Sequence, residues 1–147
     1  MKRQERLALL DQEARRLKQA SAHVLWSLQR CAVVPASPWS EEQLERLESL
    51  GSRFARLADL LTQRLMRLAD ELELEAPGSL IDRIRRAEKR GWVDEDGQLV
   101  RIRELRNLIA HEYEDEDLPS LYAEVLRLAP VLCSAAERAL QWAGRQA

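Results

Sequence analysis

The chain has 147 residues, of which 46% are hydrophobic and 33% are charged, with five glycines and five prolines. This length and composition favour a single helical domain, residues 1–147, with one hydrophobic core over a sheet protein. The net charge of −2 combines 23 basic with 25 acidic side chains. It therefore excludes a global positive field, and any surface that binds nucleic acid must be local.

Apolar residues at alternating steps of three and four predict a first helix over residues 3–31 and a second over about 41–74. Pro35 and Pro38 separate the two helices, because proline cannot continue a helix. Ser40 then begins a Ser-Glu-Glu-Gln capping box for the second helix. Within that helix, Gly51 predicts a kink or a close helix crossing.

Pro77 and Gly78 end the second helix, and Ser79 caps a short third helix that ends before a left-handed Gly91. The segment WVDEDGQLV predicts a brief loop or a small hairpin. A fourth helix follows over about 100–112. The last helix begins near Asp117, with a kink expected at Pro130. Five helices with short connections predict an all-α, antiparallel up-down helical bundle.

The fourth helix carries the most concentrated polar chemistry of the chain. At about 100° per residue, its predicted core face comprises Ile102, Leu105, Leu108 and Ile109. Its polar surface comprises Arg103, Arg106, Asn107 and His111 around the small Ala110. Asn107 lies four residues before His111, so its amide is expected to orient the imidazole. Arg106 and His111 are splayed by about 140°, so two copies packed about a two-fold axis through Ala110 would bring both pairs into one cleft.

The stretch RNLIAHEY, from Arg106 through His111 to Tyr113, resembles the Arg-x4-His-x-Tyr motif of HepT-like toxins. These belong to the HEPN family of helical-bundle domains, which occur in prokaryotic ribonucleases and defence proteins. The preceding SLIDRIRRAEKRGW and the order of five helices extend the resemblance to roughly the whole chain. It implies a metal-independent endoribonuclease toxin that acts as a homodimer. It also implies an antitoxin that is a minimal nucleotidyltransferase and can adenylylate the motif tyrosine, Tyr113.

The chemistry of these residues fits such an activity. Cleavage of RNA without a metal needs a base for the 2′-hydroxyl, an acid for the leaving oxygen and cationic donors for the phosphate. His111 can fill either proton role, and Arg106 presents a planar charged fork to the phosphate. We therefore predict Arg106 and His111 as catalytic, with Asn107 in support. The candidate RNA-binding residues are Arg86, Lys89, Arg90, Arg101 and Arg103.

Two other functions remain open. The chain can be a non-catalytic HEPN partner, or substrate-binding subunit, of a minimal nucleotidyltransferase, or a plain helical interaction protein with a fortuitous motif. The basic run over residues 83–90 has a solvated helix face as its alternative. The acidic run after His111 lacks the order of a calcium loop and favours solvation with capping at Asp117.

The remaining notable residues have structural interpretations. His23 lies in an apolar helix stretch and is expected to be structural. The four tryptophans, Trp26, Trp39, Trp92 and Trp142, are expected to pack in the core or an interface. Cys31 and Cys133 have no metal or CxxC spacing, so both are expected to be reduced and buried. Without a signal peptide or an apolar span, we expect a cytoplasmic protein, and we predict no metal and no cofactor.

Overall fold

The computed structural model describes residues 2–111 and 117–146, and these form a helical bundle. The helices are α1 (Arg3–Cys31), α2 (Glu41–Asp59), α3 (Met66–Leu72), α4 (Leu80–Lys89), α5 (Gln98–Ala110) and α6 (Leu118–Gly144). A π-helical segment, Leu60–Leu65, joins α2 to α3 without a break, so these three form one rod. The predicted all-α bundle of about five helical rods is confirmed.

The long rod formed by α2, the π segment and α3 runs antiparallel to α1. Arg53 donates a hydrogen bond to the carbonyl of His23 at 3.2 Å. Further along the same rod, Arg64 Nη1 lies 3.7 Å from Glu13 Oε1. Residue numbers therefore increase along the rod in the direction in which they decrease along α1. The two helices also pack on α6, and α5 lies against α2 and α6.

The core follows the predicted apolar stripes. In α1, Leu10, Leu17 and Val24 are buried, while Leu7 and Leu28 are partly buried against the same cluster. In the facing rod the buried stripe contains Leu47, Leu50, Phe54, Leu57, Leu61, Leu65 and Leu68. Because both stripes repeat with the helical period, one continuous apolar seam forms between the rods.

Gly51 marks a close helix crossing, and the helical irregularity lies further along the chain. A Cβ atom at Gly51 would lie 3.4 Å from Tyr122 Cε1, so α2 and α6 approach each other closely at this residue. The π segment begins nine residues later, where the Thr62 hydroxyl donates to the Ala58 carbonyl at 2.8 Å. Such back-bonding competes with the regular helical ladder. The rod ends at Leu72, two residues before the predicted end, and Leu74 adopts a left-handed φ of 57°.

The predicted helix ends are mostly confirmed. Ser40 and Ser79 each form a capping box, with Gln43 and Asp82 respectively. Gly91 has the predicted left-handed backbone, with φ of 83°. Asp117 is the N-cap residue of α6, as predicted, but its side chain makes no capping hydrogen bond. Helix α6 continues through Pro130, and residues 92–97 form a loop and not a hairpin.

Both cysteines are buried free thiols, as predicted, and burial raises the pKa of each. Trp92 and Trp142 pack edge-to-face with ring centroids 5.8 Å apart, and Trp39 contacts Tyr122 in the same manner. Trp26 is different, because 54% of its surface is exposed. Trp26 therefore does not pack in the core of this chain, and of the two expected environments only an interface is left for it. Within the described residues, no helix combines the length and apolar character required to cross a membrane.

Candidate functional site

Helix α5 begins after Gly97, whose left-handed φ of 92° turns the chain into it, and it ends at Ala110. His111 is the first residue beyond the helix, with φ −91° and ψ 159°. Its backbone N–H donates to the carbonyls of Asn107 at 3.2 Å and Leu108 at 3.3 Å. The predicted helix continued to residue 112, so the observed end is two residues earlier.

Asn107 and His111 keep the four-residue spacing of a helix, because the His111 N–H still donates to the Asn107 carbonyl. At this spacing two side chains on a helix are neighbours. The chain leaves the helix only after His111, yet no hydrogen bond joins the Asn107 amide to the imidazole. The predicted orienting contact is therefore absent within this chain. Both side chains are exposed, together with Ala110 between them.

Leu108 does not belong to the core, contrary to the prediction. The residues of α5 that are buried against α2 and α6 are Leu99, Ile102 and Leu105, with Ile109 partly buried. Leu108 lies about 120° around the helix from the centre of those three residues. Its side chain is 57% exposed. Leu108 thus adds an apolar side chain to an exposed strip that we call the exposed strip of α5. It comprises Glu104, Asn107, Leu108 and Ala110 of the helix and His111 directly after it.

Arg106 is held by an acidic residue that the sequence analysis did not identify. Its Nε donates to Asp59 Oδ1 at 2.7 Å, and its Nη2 donates to Asp59 Oδ2 at 2.8 Å. Arg103 Nη1 donates to the same Oδ1 at 3.3 Å. The hydrogen bond with Asp59 raises the pKa of Arg106, which therefore stays charged at any physiological pH. Asp59 lies 47 residues before Arg106, and no local pattern connects them.

Arg103 and Arg106 line an open depression of about 800 Å³ between α1, the α2–π rod and α5. Its charged lining comprises Arg16, Arg56, Arg64, Arg103, Arg106 and Asp59. We call it the arginine depression. Five guanidinium groups against one carboxylate make this a local positive field on a chain of net charge −2. Among the described residues, its lining includes neither Asn107 nor His111. Arg106 and His111 of one chain therefore do not share this depression.

Two candidate RNA-binding residues have internal ion pairs instead. Arg86 Nη1 lies 3.0 Å from Asp70 Oδ2, and Arg90 Nη2 lies 2.8 Å from Asp70 Oδ1. Arg90 also pairs with Glu73, and its side chain is only 8% exposed. Burial alone would lower the pKa of Arg90, but hydrogen bonds with Glu73 and Asp70 raise it overall. These pairs tie α4 to α3. They leave the Arg90 side chain almost buried and the Arg86 side chain 23% exposed.

The other candidate residues keep their exposure or fall outside the described residues. Lys89 and Arg101 are exposed, and Arg103 is half-buried beside Asp59. His23, expected to be structural, is exposed on α1. Tyr113 lies within residues 112–116, outside the described ranges. We found no family model, curated protein or solved structure that matches the chain.

Proposed function

We propose that this chain is a HEPN-type endoribonuclease toxin that cleaves RNA without a metal ion and acts as a homodimer. One observation carries the proposal most. Arg106 lies at an arginine-lined depression, while the adjoining end of α5 exposes a histidine that the chain's own core does not use. A positive depression suits a polyanion, and an exposed imidazole supplies proton transfer near neutral pH. The resemblance of RNLIAHEY to the HepT-like motif supports the same activity.

The proposed reaction uses the ribose 2′-hydroxyl as nucleophile. One His111 takes the 2′-hydroxyl proton as the oxygen bonds to phosphorus, and the bond from phosphorus to the 5′-oxygen breaks. The second His111 of the dimer gives a proton to that leaving oxygen. The products are a 2′,3′-cyclic phosphate and a 5′-hydroxyl end. Arg106 stabilises the charge on the phosphate oxygens through N–H groups that Asp59 does not occupy.

The geometry of one chain supports a composite site at a dimer interface. Arg106 faces the arginine depression, whereas His111 lies beyond the helix end and outside its lining. A second copy related by a two-fold axis can place its His111 beside the first copy's Arg106. Leu108 and Ala110 of the exposed strip supply an apolar contact and close approach at that axis. Asn107, in the same strip, would support the site from there.

We further propose that a nucleotidyltransferase antitoxin neutralises the dimer by adenylylating Tyr113. The tyrosine follows His111 by two residues in the sequence. An adenylyl group there would add bulk and a negative phosphate close to where the RNA phosphate must bind. Both effects would oppose the substrate.

One observation favours the alternative function, a non-catalytic partner or substrate-binding subunit of a nucleotidyltransferase. Asp59 binds Arg106 in the bidentate geometry of a structural ion pair. A pair of this geometry needs no role beyond fastening α5 to α2. In that case the depression binds a polyanion, and the exposed strip of α5 binds the nucleotidyltransferase.

Incubation of the purified protein with unstructured RNA in EDTA distinguishes the two functions. The toxin proposal expects fragments with 2′,3′-cyclic phosphate ends from the wild type and none from the His111→Ala variant. His111 is exposed, so its removal should change the free energy of unfolding by about 1 kcal/mol or less. Loss of cleavage on chelation would contradict the metal-free route. A wild type as inactive as His111→Ala would favour the non-catalytic partner.

A further inference from the structure

The arginine depression is one end of a longer furrow between α1 and α2. A second depression shares Arg16 and Arg56 with it and is also lined by Arg53 and His23. A third depression shares Arg53 with the second and contains Trp26. Because neighbouring depressions have lining residues in common, they lie side by side in one row, with Arg53 at the boundary between the second and the third. We call this row the basic furrow.

Arginines are spread along the whole basic furrow. The lining contains eight arginines. Arg30, Arg46 and Arg53 lie at the Trp26 end, Arg16 and Arg56 in the middle, and Arg64, Arg103 and Arg106 at the α5 end. The carboxylates in its lining are Glu42, Glu45 and Asp59. Glu13, almost buried, also pairs with Arg16 at 3.0 Å. Arginine outnumbers carboxylate even when Glu13 is included, so the furrow is positive over its length.

Trp26 gives the furrow an exposed indole at the end away from α5. The guanidinium groups of Arg30 and Arg53 lie over its ring, with their carbons 4.9 Å and 5.5 Å from the centroid. Arg53 is itself fixed, since it donates to Ser27 Oγ at 2.7 Å. More than half of the indole surface remains exposed. Exposed aromatic rings next to guanidinium groups are the platforms on which unpaired bases stack.

The length of the furrow fits a short strand. Arg16 and Arg30 are fourteen residues apart on α1, which at 1.5 Å per residue is about 21 Å. A stacked single strand advances by about 3.4 Å per nucleotide, so about six nucleotides span this distance. A duplex would keep its bases paired and could not stack one on Trp26.

From the shared lining, the arginines and the exposed indole, we propose that the basic furrow binds single-stranded nucleic acid. A base stacks on Trp26, the backbone follows Arg53 and Arg56, and the strand is led to Arg106. Only the identification of the strand as RNA to be cleaved rests on the proposed function; the binding does not. An acidic peptide would form ion pairs with the arginines but would make no stacking contact with the indole.

The test uses fluorescence anisotropy with a labelled single-stranded oligodeoxyuridine. Its length of about twelve nucleotides is within the range of site sizes of single-strand-binding domains. This probe lacks the 2′-hydroxyl and cannot be cut by the proposed route. Arg56→Glu is expected to weaken binding about tenfold, and the slope of log affinity against log salt should fall by about 0.7 for the lost phosphate contact. Trp26→Ala should weaken binding at least fivefold, with little change in that slope.

Arg15→Glu is the matched control. It makes the same charge change on α1, at an exposed arginine outside the lining of the furrow, and it should weaken binding less than about twofold by comparison. Equal losses of binding affinity for Arg15→Glu and Arg56→Glu would contradict the proposal that the furrow binds the strand. So would an unchanged affinity for Trp26→Ala. Polyglutamate that binds the wild type more tightly than the strand does would point to an acidic peptide and overturn the proposal too.

The same measurements separate this inference from the proposed function. If the wild type does not cut RNA but binding depends on Arg56 and Trp26 as expected, the furrow stands and the ribonuclease proposal fails. If RNA is cut and both furrow variants bind and cut as the wild type does, the ribonuclease stands and the furrow fails.

Discussion

Arg106 and Asp59 form the side-chain contact that most constrains the chemistry of the site. The two hydrogen bonds of 2.7 and 2.8 Å use the Nε edge and one Nη2 hydrogen of the guanidinium. A guanidinium has five N–H groups, so the others stay available for a phosphate. Because the pair is partly exposed, it contributes about 1 kcal/mol or less to stability. Its larger effect is to hold the planar group in one orientation at the depression.

A comparison of Arg106→Ala with Asp59→Ala separates positioning from chemistry. Both variants break the Arg106–Asp59 pair, and Asp59→Ala also removes the partner of Arg103. Because these pairs are partly exposed, each variant should lower the free energy of unfolding by only about 1 kcal/mol. Arg106→Ala should abolish RNA cleavage, because the phosphate loses its main cationic donor. Asp59→Ala should reduce it less than about tenfold, since the guanidinium remains but is less well oriented. Equal rates in the two variants, measured alongside their unfolding curves, would show that Arg106 acts only as a structural residue.

Tyr113→Phe tests the proposed regulation. The phenol oxygen takes no part in the proton transfers assigned to His111, so the variant should keep most of the cleavage activity. It should lose adenylylation, because the acceptor oxygen is gone. Peptide mass spectrometry after co-expression with the cognate nucleotidyltransferase checks this, with the wild type as control. Adenylylation at another residue, or full catalytic neutralisation of Tyr113→Phe, would contradict the mechanism.

The helical elements bring the arginines of the basic furrow together from distant parts of the chain. Arg16 lies on α1, Arg56 on α2, Arg64 in the π segment and Arg103 on α5. Glu13 lies beneath them, with one oxygen 3.0 Å from Arg16 Nη1 and 3.7 Å from Arg64 Nη1. A π segment changes the direction of the residues within it and is frequent at functional sites. Here it supplies Gln63 and Arg64 to the lining.

The crossing of α2 and α6 at Gly51 gives a prediction about the helices themselves. Gly51→Ala places a methyl group 3.4 Å from Tyr122 Cε1, an ordinary contact, and replaces glycine inside a helix by the best helix former. The variant should be as stable as the wild type or more stable by up to about 1 kcal/mol. Gly51→Leu should lose about 1–3 kcal/mol, because the side chain does not fit between the helices. Urea unfolding measures both, and a destabilised Gly51→Ala would show that the crossing tolerates no added atom.

At the scale of the whole molecule, the exposed strip of α5 predicts the oligomeric state. Leu108 is 57% exposed in the single chain and lies beside the residues that a composite site must share. The wild type should elute as a dimer, with twice the mass of one chain by light scattering. Leu108→Glu should give a folded monomer without cleavage activity, because two carboxylates would be buried near the two-fold axis. Ile81→Glu, at an apolar residue of α4 that is 42% exposed, is the control and should remain a dimer. A wild-type monomer that cleaves RNA would remove the composite site.

Local sequence patterns determined the helices and most of their ends. Apolar spacing, proline breaks and two capping boxes depend on residues a few positions apart, so they predicted α1 as Arg3–Cys31 and the starts of α2 and α4 correctly. The same patterns predicted that Arg106, Asn107 and His111 lie outside the core. They missed the end of α5, because the extended backbone at His111 is not encoded by a proline or glycine.

Only the tertiary structure decided which charges meet. Asp59 pairs with Arg106 across 47 residues, and Asp70 pairs with both Arg86 and Arg90. Arg53, one of the arginines beside Trp26, comes from the neighbouring helix. The sequence around Trp26 therefore does not predict this contact. Helical periodicity tells which face a side chain occupies, but the partner across that face is set by how the helices pack.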